Sequence, residues 1–191
     1  MSEQQFIRSA APTLAGLKTG SLFPYRFERK KDAMRELRQY NRRLMAKGLR
    51  LLPLRMTEDY AMLYLYRPGR LGADLRRREA ADLLQEVGYP DCDEANCIRE
   101  LRRRLSSQTD FPHEIGLFLS YPPEDVRAFM EHRDSGCKCI GCWKVYGDER
   151  AARIKFAQYE KCTLCYLRQH ARGCPLEELT VTNKLEGETL C

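Results

Sequence analysis

Apolar positions along this chain recur at helical spacing in some stretches and at strand spacing in others. Residues 1–20 carry no long apolar run, and Gly16 and Gly20 act as breakers, so an irregular or briefly helical start is expected. Ser21 to Phe27 reads as a first strand. From Arg29 to Lys47, the positions Ala33, Leu37, Tyr40 and Leu44 form one helical stripe, which Gly48 ends. Leu49 to Arg55 and Tyr60 to Arg67 read as a hairpin, with Pro53 placing an edge or a bulge in its first strand.

Leu71 to Val87 reads as a second helix and Glu94 to Leu105 as a third, with Cys97, Ile98, Leu101 and Leu105 on the dry side. Glu114 to Leu119 is expected as a strand, Pro123 to His132 as a helix, and Ile140 to Tyr146 as a strand. Asp148 is placed to cap a last long helix that runs to about Arg172. The fold class implied is α/β or α+β. One domain over residues 6–180 would carry a mixed sheet of about five strands with helices packed on it, and residues 181–191 would form a polar, loose tail.

Composition narrows the function classes. With 191 residues the chain can bury a core without covalent staples. The N-terminus lacks the basic-then-apolar order of a secretory signal, and no apolar stretch approaches the ~20 residues that span a bilayer. A cytoplasmic location and no membrane partner are therefore expected. The net charge of +6 is carried mostly by arginine, in clusters at Arg42-Arg43, Arg76 to Arg78 and Arg102 to Arg104. Neighbouring acids (Glu79, Asp82 and Glu100) mark these as wet helix faces, so nucleic acid is not the expected partner.

Nine cysteines in an unexported chain point to thiols or metal ligands rather than disulfides. Cys137, Cys139 and Cys142 form C-x-C-x-x-C, and Cys162 and Cys165 form C-x-x-C. A loop trio plus Cys162, with Cys165 as the alternative, could supply the four donors of zinc or an iron–sulfur cluster. The competing readings are packed structural thiols, because Cys162 borders the stripe Ala152, Phe156, Tyr159, Thr163 and Tyr166, and a redox dithiol.

Two further groups carry candidate chemistry. His113 and Glu114 are the candidate catalytic residues, although on a strand they would face opposite sides; His113 could equally be a hydrogen-bonded brace, and Glu114 could pair with an arginine. The segment Pro12 to Lys18 reads as a binding loop for a small anionic ligand: Thr13 offers a hydroxyl, Gly16 close backbone approach and Lys18 a charge. It fits neither nucleotide-loop fingerprint. Tyr121, Trp143, Lys144 and Tyr146 complete the candidate ligand-binding set, with Trp143 or Tyr146 as a stacking platform or a core residue.

The segments PTLAGLKTGSLF (Pro12 to Phe23), FPHEIGLFLSYP (Phe111 to Pro122), Asp125-Val126, GCWKVYGD (Gly141 to Asp148) and YEKCTLCYL (Tyr159 to Leu167) resemble domain-of-unknown-function family 3793, a bacterial family of clostridial type. The resemblance runs from about Pro12 to Thr180 and implies no particular reaction. It implies a cysteine where this chain has Ala10 or Ala11, glycine at Ser120 and tyrosine at Cys142, so Cys142 reads as this chain's own addition and Cys162 as shared. The leading expectation is a small-molecule or ion-binding protein with a thiol or metal link, its site near PTLAGLK, His113 and the Gly141 to Tyr146 segment. The alternatives are an enzyme acting on an anionic small molecule through His113 or a cysteine, and a protein or nucleic-acid interaction module using the arginine-rich faces.

Overall fold

Strand β3 (Tyr60–Tyr66) organises the fold, because both of its faces are dry. Ala61, Leu63 and Leu65 join one apolar cluster, while Tyr64 and Tyr66 join another, as the two-residue period of a strand dictates. A computed structural model of the chain describes residues 1–107, 110–133 and 135–182. In it β3 is flanked by β1 (Gly20–Arg26) and β2 (Arg50–Met56), both antiparallel, in the order β1-β3-β2.

The expected irregularity at Pro53 is present on an edge strand. Pro53 pairs with Leu63 and Arg55 with Met62, so Leu54 is the extra residue of a bulge. The bulge reverses the facing of the later strand residues. Leu52 and Leu54 both meet the second cluster, and Met56 then turns to the first.

Helices cover both faces. On the first lie α1 (Glu3–Leu14) and α2 (Lys30–Met45). Where an irregular or briefly helical N-terminus was expected, α1 is a full helix of 12 residues. Its Phe6, Ile7, Ala10, Ala11 and Leu14 form a fully buried stripe, and Ser2 caps it by accepting from Gln5 N at 3.2 Å. The stripe is easily missed because alanine supplies two of its five positions.

On the second face the expected single helix over Leu71 to Val87 is two, α3 (Pro68–Leu75) and α4 (Arg78–Glu86), broken at Arg76-Arg77. They pack with α5 (Glu94–Ser107), α6 (Ile115–Phe118) and α7 (Pro123–His132). The segment α6 corrects the expected strand at Glu114 to Leu119. A continuous apolar run has no wet side from which to read a period, and here every residue from Glu114 to Leu119 is buried as a short helix.

The expected strand over Ile140 to Tyr146 is instead a two-stranded antiparallel ribbon, β4 (Cys139–Ile140) with β5 (Lys144–Val145). The five strands therefore divide into an antiparallel sheet of three and this ribbon. Gly141 turns the ribbon, and a Cβ there would stand 2.3 Å from the Phe156 ring.

Asp148 caps α8 (Glu149–Ala171) by accepting from Ala151 N at 2.9 Å, as expected. The first half of α8 packs on the ribbon through Ala152, Phe156 and Tyr159; its second half reaches the first core through Cys162, Tyr166 and Leu167. After α9 (Leu176–Leu179), the chain is tied down as far as Val181. Val181 N donates to Leu14 O at 3.0 Å, and Val181 O accepts from the buried Arg67 at 2.7 Å. Residues 183–191 of the expected tail lie outside the described residues.

Candidate functional site

Tyr121 follows α6 and Trp143 immediately precedes β5, and their rings stack at 5.0 Å between centroids. The pair is held from α7. Asp125, buried at the first turn of that helix, accepts from Trp143 Nε1 at 2.7 Å, Tyr146 N at 2.7 Å and Gly147 N at 2.8 Å. One carboxylate thus satisfies the indole and two backbone donors of the ribbon. Phe156 closes the layer, edge-on to Trp143 at 4.5 Å.

Three clefts meet this aromatic layer. The first, of about 290 Å³, is a slot walled by Leu22, Phe111, Ile115, Leu119, Val126, Phe129, Tyr121 and Trp143, with His113 and Lys144 on its lining. The His113 ring stands edge-on to Phe129 at 4.9 Å, and the Lys144 ammonium lies 5.3 Å from the centre of the same ring. Burial lowers the pKa of His113 below its usual 6.5, Arg133 lowers it further, and Glu114 and Asp110 oppose the shift. The imidazole is therefore mainly neutral near pH ~7, able both to donate and to accept a hydrogen bond.

The second cleft, about 430 Å³ between α1 and α8, holds Lys18, Cys142 and Tyr159. The Lys18 ammonium lies 5.2 Å over the Tyr121 ring. The residue as a whole is half-buried, but its ammonium is desolvated enough to lower the pKa to about 8, with Cys142 opposing slightly. Cys142 is exposed as a residue, yet desolvation around its sulfur raises the thiol pKa, against a lowering pull from Lys18.

The third cleft, about 420 Å³, has mixed charge. In it Asp74 accepts from Thr19 Oγ1 at 2.5 Å and pairs with Arg77 at 3.2 Å.

The expected site residues divide accordingly. His113, Tyr121, Trp143 and Lys144 come together on the slot, and Lys18 reaches Tyr121 from the neighbouring cleft. Thr13 does not serve a ligand loop. It is fully buried, and its hydroxyl meets Ser21 Oγ at 2.8 Å while its carbonyl accepts from Arg67 at 2.9 Å. Gly16 has φ +72°, the left-handed turn that releases the chain from α1. Tyr146 turns its hydroxyl to Arg133 O.

Glu114 leaves His113 behind. It is buried, accepts from Tyr89 OH at 3.1 Å and pairs with Arg104 at 3.4 Å, which is the arginine pairing foreseen for it. Asp125, Phe129 and Phe111 were not singled out as site residues. Asp125 appeared only within the Asp125-Val126 segment of the family resemblance, with no role attached to it.

The cysteines do not converge. Cys137 donates to Cys139 O at 3.1 Å, Cys139 packs on the ribbon cluster, Cys142 sits beside Lys18, and Cys162 packs on the first core. Cys165 is exposed. Among the described residues no three His, Cys, Asp or Glu side chains are placed to hold a metal, so this donor set does not fit zinc or an iron–sulfur cluster.

The arginine clusters are partly neutralised: Arg103 and Arg104 by Glu100, Arg78 by Asp82, and Arg43 by Glu3 and Glu177. No helix among the described residues is long and apolar enough to cross a membrane.

A family model described as "Protein of unknown function (DUF3793)" matches residues 6–180. No curated protein and no solved structure matches the chain.

Proposed function

We propose that this chain, which belongs to the DUF3793 family, binds a small anion with a flat apolar body in the slot beside His113. The observation that carries this reading is the slot's composition. Aromatic and aliphatic walls enclose about 290 Å³, and the nitrogens on the lining are those of a lysine, a mainly neutral histidine and the indole. The indole N–H is already committed to Asp125. Apolar area holds the ligand body, the imidazole fixes its orientation and the Lys144 ammonium supplies positive charge for an anion, while the Asp125 carboxylate on the same lining is turned to its three N–H donors. The volume sits at the small end of ligand pockets, ~300–1,000 Å³, so a single-ring carboxylate is the expected size.

Calorimetric titration with a panel of aromatic carboxylates, matched amides and aliphatic acids tests the proposal. Saturable binding that favours the aromatic acids and weakens about tenfold or more in Lys144→Met and His113→Gln is expected, since a lost charge-assisted hydrogen bond is worth ~1.5–3 kcal/mol. Binding indifferent to both substitutions, or to the carboxylate itself, would sink the reading.

A second reading, acid–base chemistry by His113 on such an anion, rests on its lowered pKa. It would proceed without Glu114, which is engaged with Tyr89 and Arg104.

A further inference from the structure

Lys18 is a cation held without an anion. Its ammonium lies over the Tyr121 ring, and among the described residues no carboxylate comes within 4.0 Å and no hydrogen-bond acceptor reaches it. Such an arrangement is costly for a desolvated charge unless a ligand supplies the partner or the amine is held partly neutral. Arg104, by contrast, pairs with Glu100 and Glu114 and donates to Val87 O.

The same cleft carries a second basic group. Arg8, exposed on α1, lines it and likewise has no carboxylate within 4.0 Å among the described residues. The other titratable groups on the cleft are Cys142, Tyr159 and Glu160. Burial raises both the thiol and the phenol, so neither supplies a counter-ion near neutral pH, and the exposed Glu160 carboxylate comes within 4.0 Å of neither Lys18 nor Arg8.

We propose that Lys18 is a covalent attachment point for a small 2-oxo acid or aldehyde acid: its amine condenses with the carbonyl while Arg8 receives the carboxylate. This site is separate from the slot beside His113 and does not depend on how that slot is used. The amine lone pair attacks the carbonyl carbon, forming a C–N bond as the C=O π pair moves to oxygen. The nitrogen gives up both of its protons in turn, through solvent, to that oxygen, which leaves as water as the nitrogen lone pair closes the C=N bond. Amine and carbonyl compound thus become imine and water, with no oxidant or reductant. A protonated imine would keep its charge over the Tyr121 face, where the ammonium now sits. The cleft, about 430 Å³, has room for a ligand of a few carbons.

Trapping tests the inference on the intact chain. The protein is incubated with glyoxylate and cyanoborohydride near neutral pH, and modified lysines are mapped by peptide mass spectrometry over time. Reduction turns the imine into a stable secondary amine. The neutral-amine fraction rises about tenfold per unit of lowered pKa, so Lys18 is expected to react more than tenfold faster than exposed Lys31, Lys155 and Lys161. Arg8→Gln, at an exposed position, should slow trapping with glyoxylate but not with propanal, which has no carboxylate. Lys18 reacting no faster than the exposed lysines overturns the proposal, and this wild-type comparison stands even if Lys18→Arg fails to fold. Equal preference for propanal and glyoxylate overturns the assignment to carboxylate-bearing ligands.

Discussion

The carboxylate of Asp125 accepts the indole N–H of Trp143 at 2.7 Å, and through this contact α7 holds the aromatic ribbon. Its other oxygen takes two backbone N–H groups, Tyr146 and Gly147. Asp125→Ala would leave three donors to find water or go unpaired. The expected cost is roughly 3 kcal/mol, or a fall in Tm of roughly 6–12 °C for a chain of this size. Asp125→Asn keeps an acceptor for the backbone pair and should fall between. Trp143 is the chain's single tryptophan. Its emission should therefore shift to the red in Asp125→Ala before global unfolding, and an unmoved spectrum would show that the ribbon does not need this anchor.

Gly20 opens β1 under Tyr64 and the short helix α6. A Cβ there would lie 2.5 Å from both the Tyr64 ring and Phe118 O. The Tyr64 hydroxyl donates to that same carbonyl at 2.6 Å, so the ring cannot swing away without breaking a buried hydrogen bond. Gly20→Ala is expected to cost about 1–3 kcal/mol by overpacking, and Tyr64→Phe about 1 kcal/mol. Chemical denaturation of the two variants and their double mutant should show coupling, because both changes act on one contact.

Ser120 adopts φ +60°, in the left-handed region, and its Oγ accepts from the buried Thr19 N at 2.7 Å. Glycine, the residue the family resemblance implies at this position, would relieve the backbone and lose the acceptor; these effects are similar in size, ~1–2 kcal/mol each. Alanine would lose the acceptor and keep the strain. Ser120→Gly should therefore melt close to the wild type and Ser120→Ala clearly below both. The reverse order in thermal denaturation would contradict the assignment.

His113 makes stability depend on mildly acidic pH. Its folded pKa lies below 6.5 because burial and Arg133 disfavour the charged ring, whereas the unfolded chain regains the ordinary value. Between those two values the unfolded state binds a proton that the folded state does not. Stability is then flat with respect to this group above ~6.5 and falls as pH drops toward the folded value. From about pH 7 to about pH 5, the wild type should lose more Tm than His113→Asn. Equal losses would show that other groups carry the acid sensitivity.

Where large apolar side chains repeat against a wet side, the element was legible in the sequence, whereas the alanine-bearing stripe of α1 and the break between α3 and α4 were not. The stripe from Ala33 to Leu44 is α2, the Cys97 to Leu105 stripe is α5, Asp148 caps α8, and Pro53 marks a bulge on an edge strand. These features record local geometry, since an amphipathic period, a cap and a missing N–H act within a turn or two of the residue. The segment Ile115 to Leu119 carries no such record. It is apolar throughout, and only burial against α7 and β3 settles that it coils rather than extends.

The site follows the same division. Its residue types were visible as a cluster of His113, Tyr121, Trp143 and Lys144, but not the way they meet. Asp125 as their anchor, Glu114 turned toward Arg104, the cysteines drawn apart and Lys18 set over Tyr121 all join residues distant in sequence. Such contacts, and the pKa shifts of Lys18 and His113 that burial causes, exist only once the chain has closed around them. The sequence alone determined which segments could be helix or strand and which chemistry the chain carries; the tertiary structure decided which of those groups share a cleft, because desolvation and pairing are properties of a neighbourhood and not of a residue.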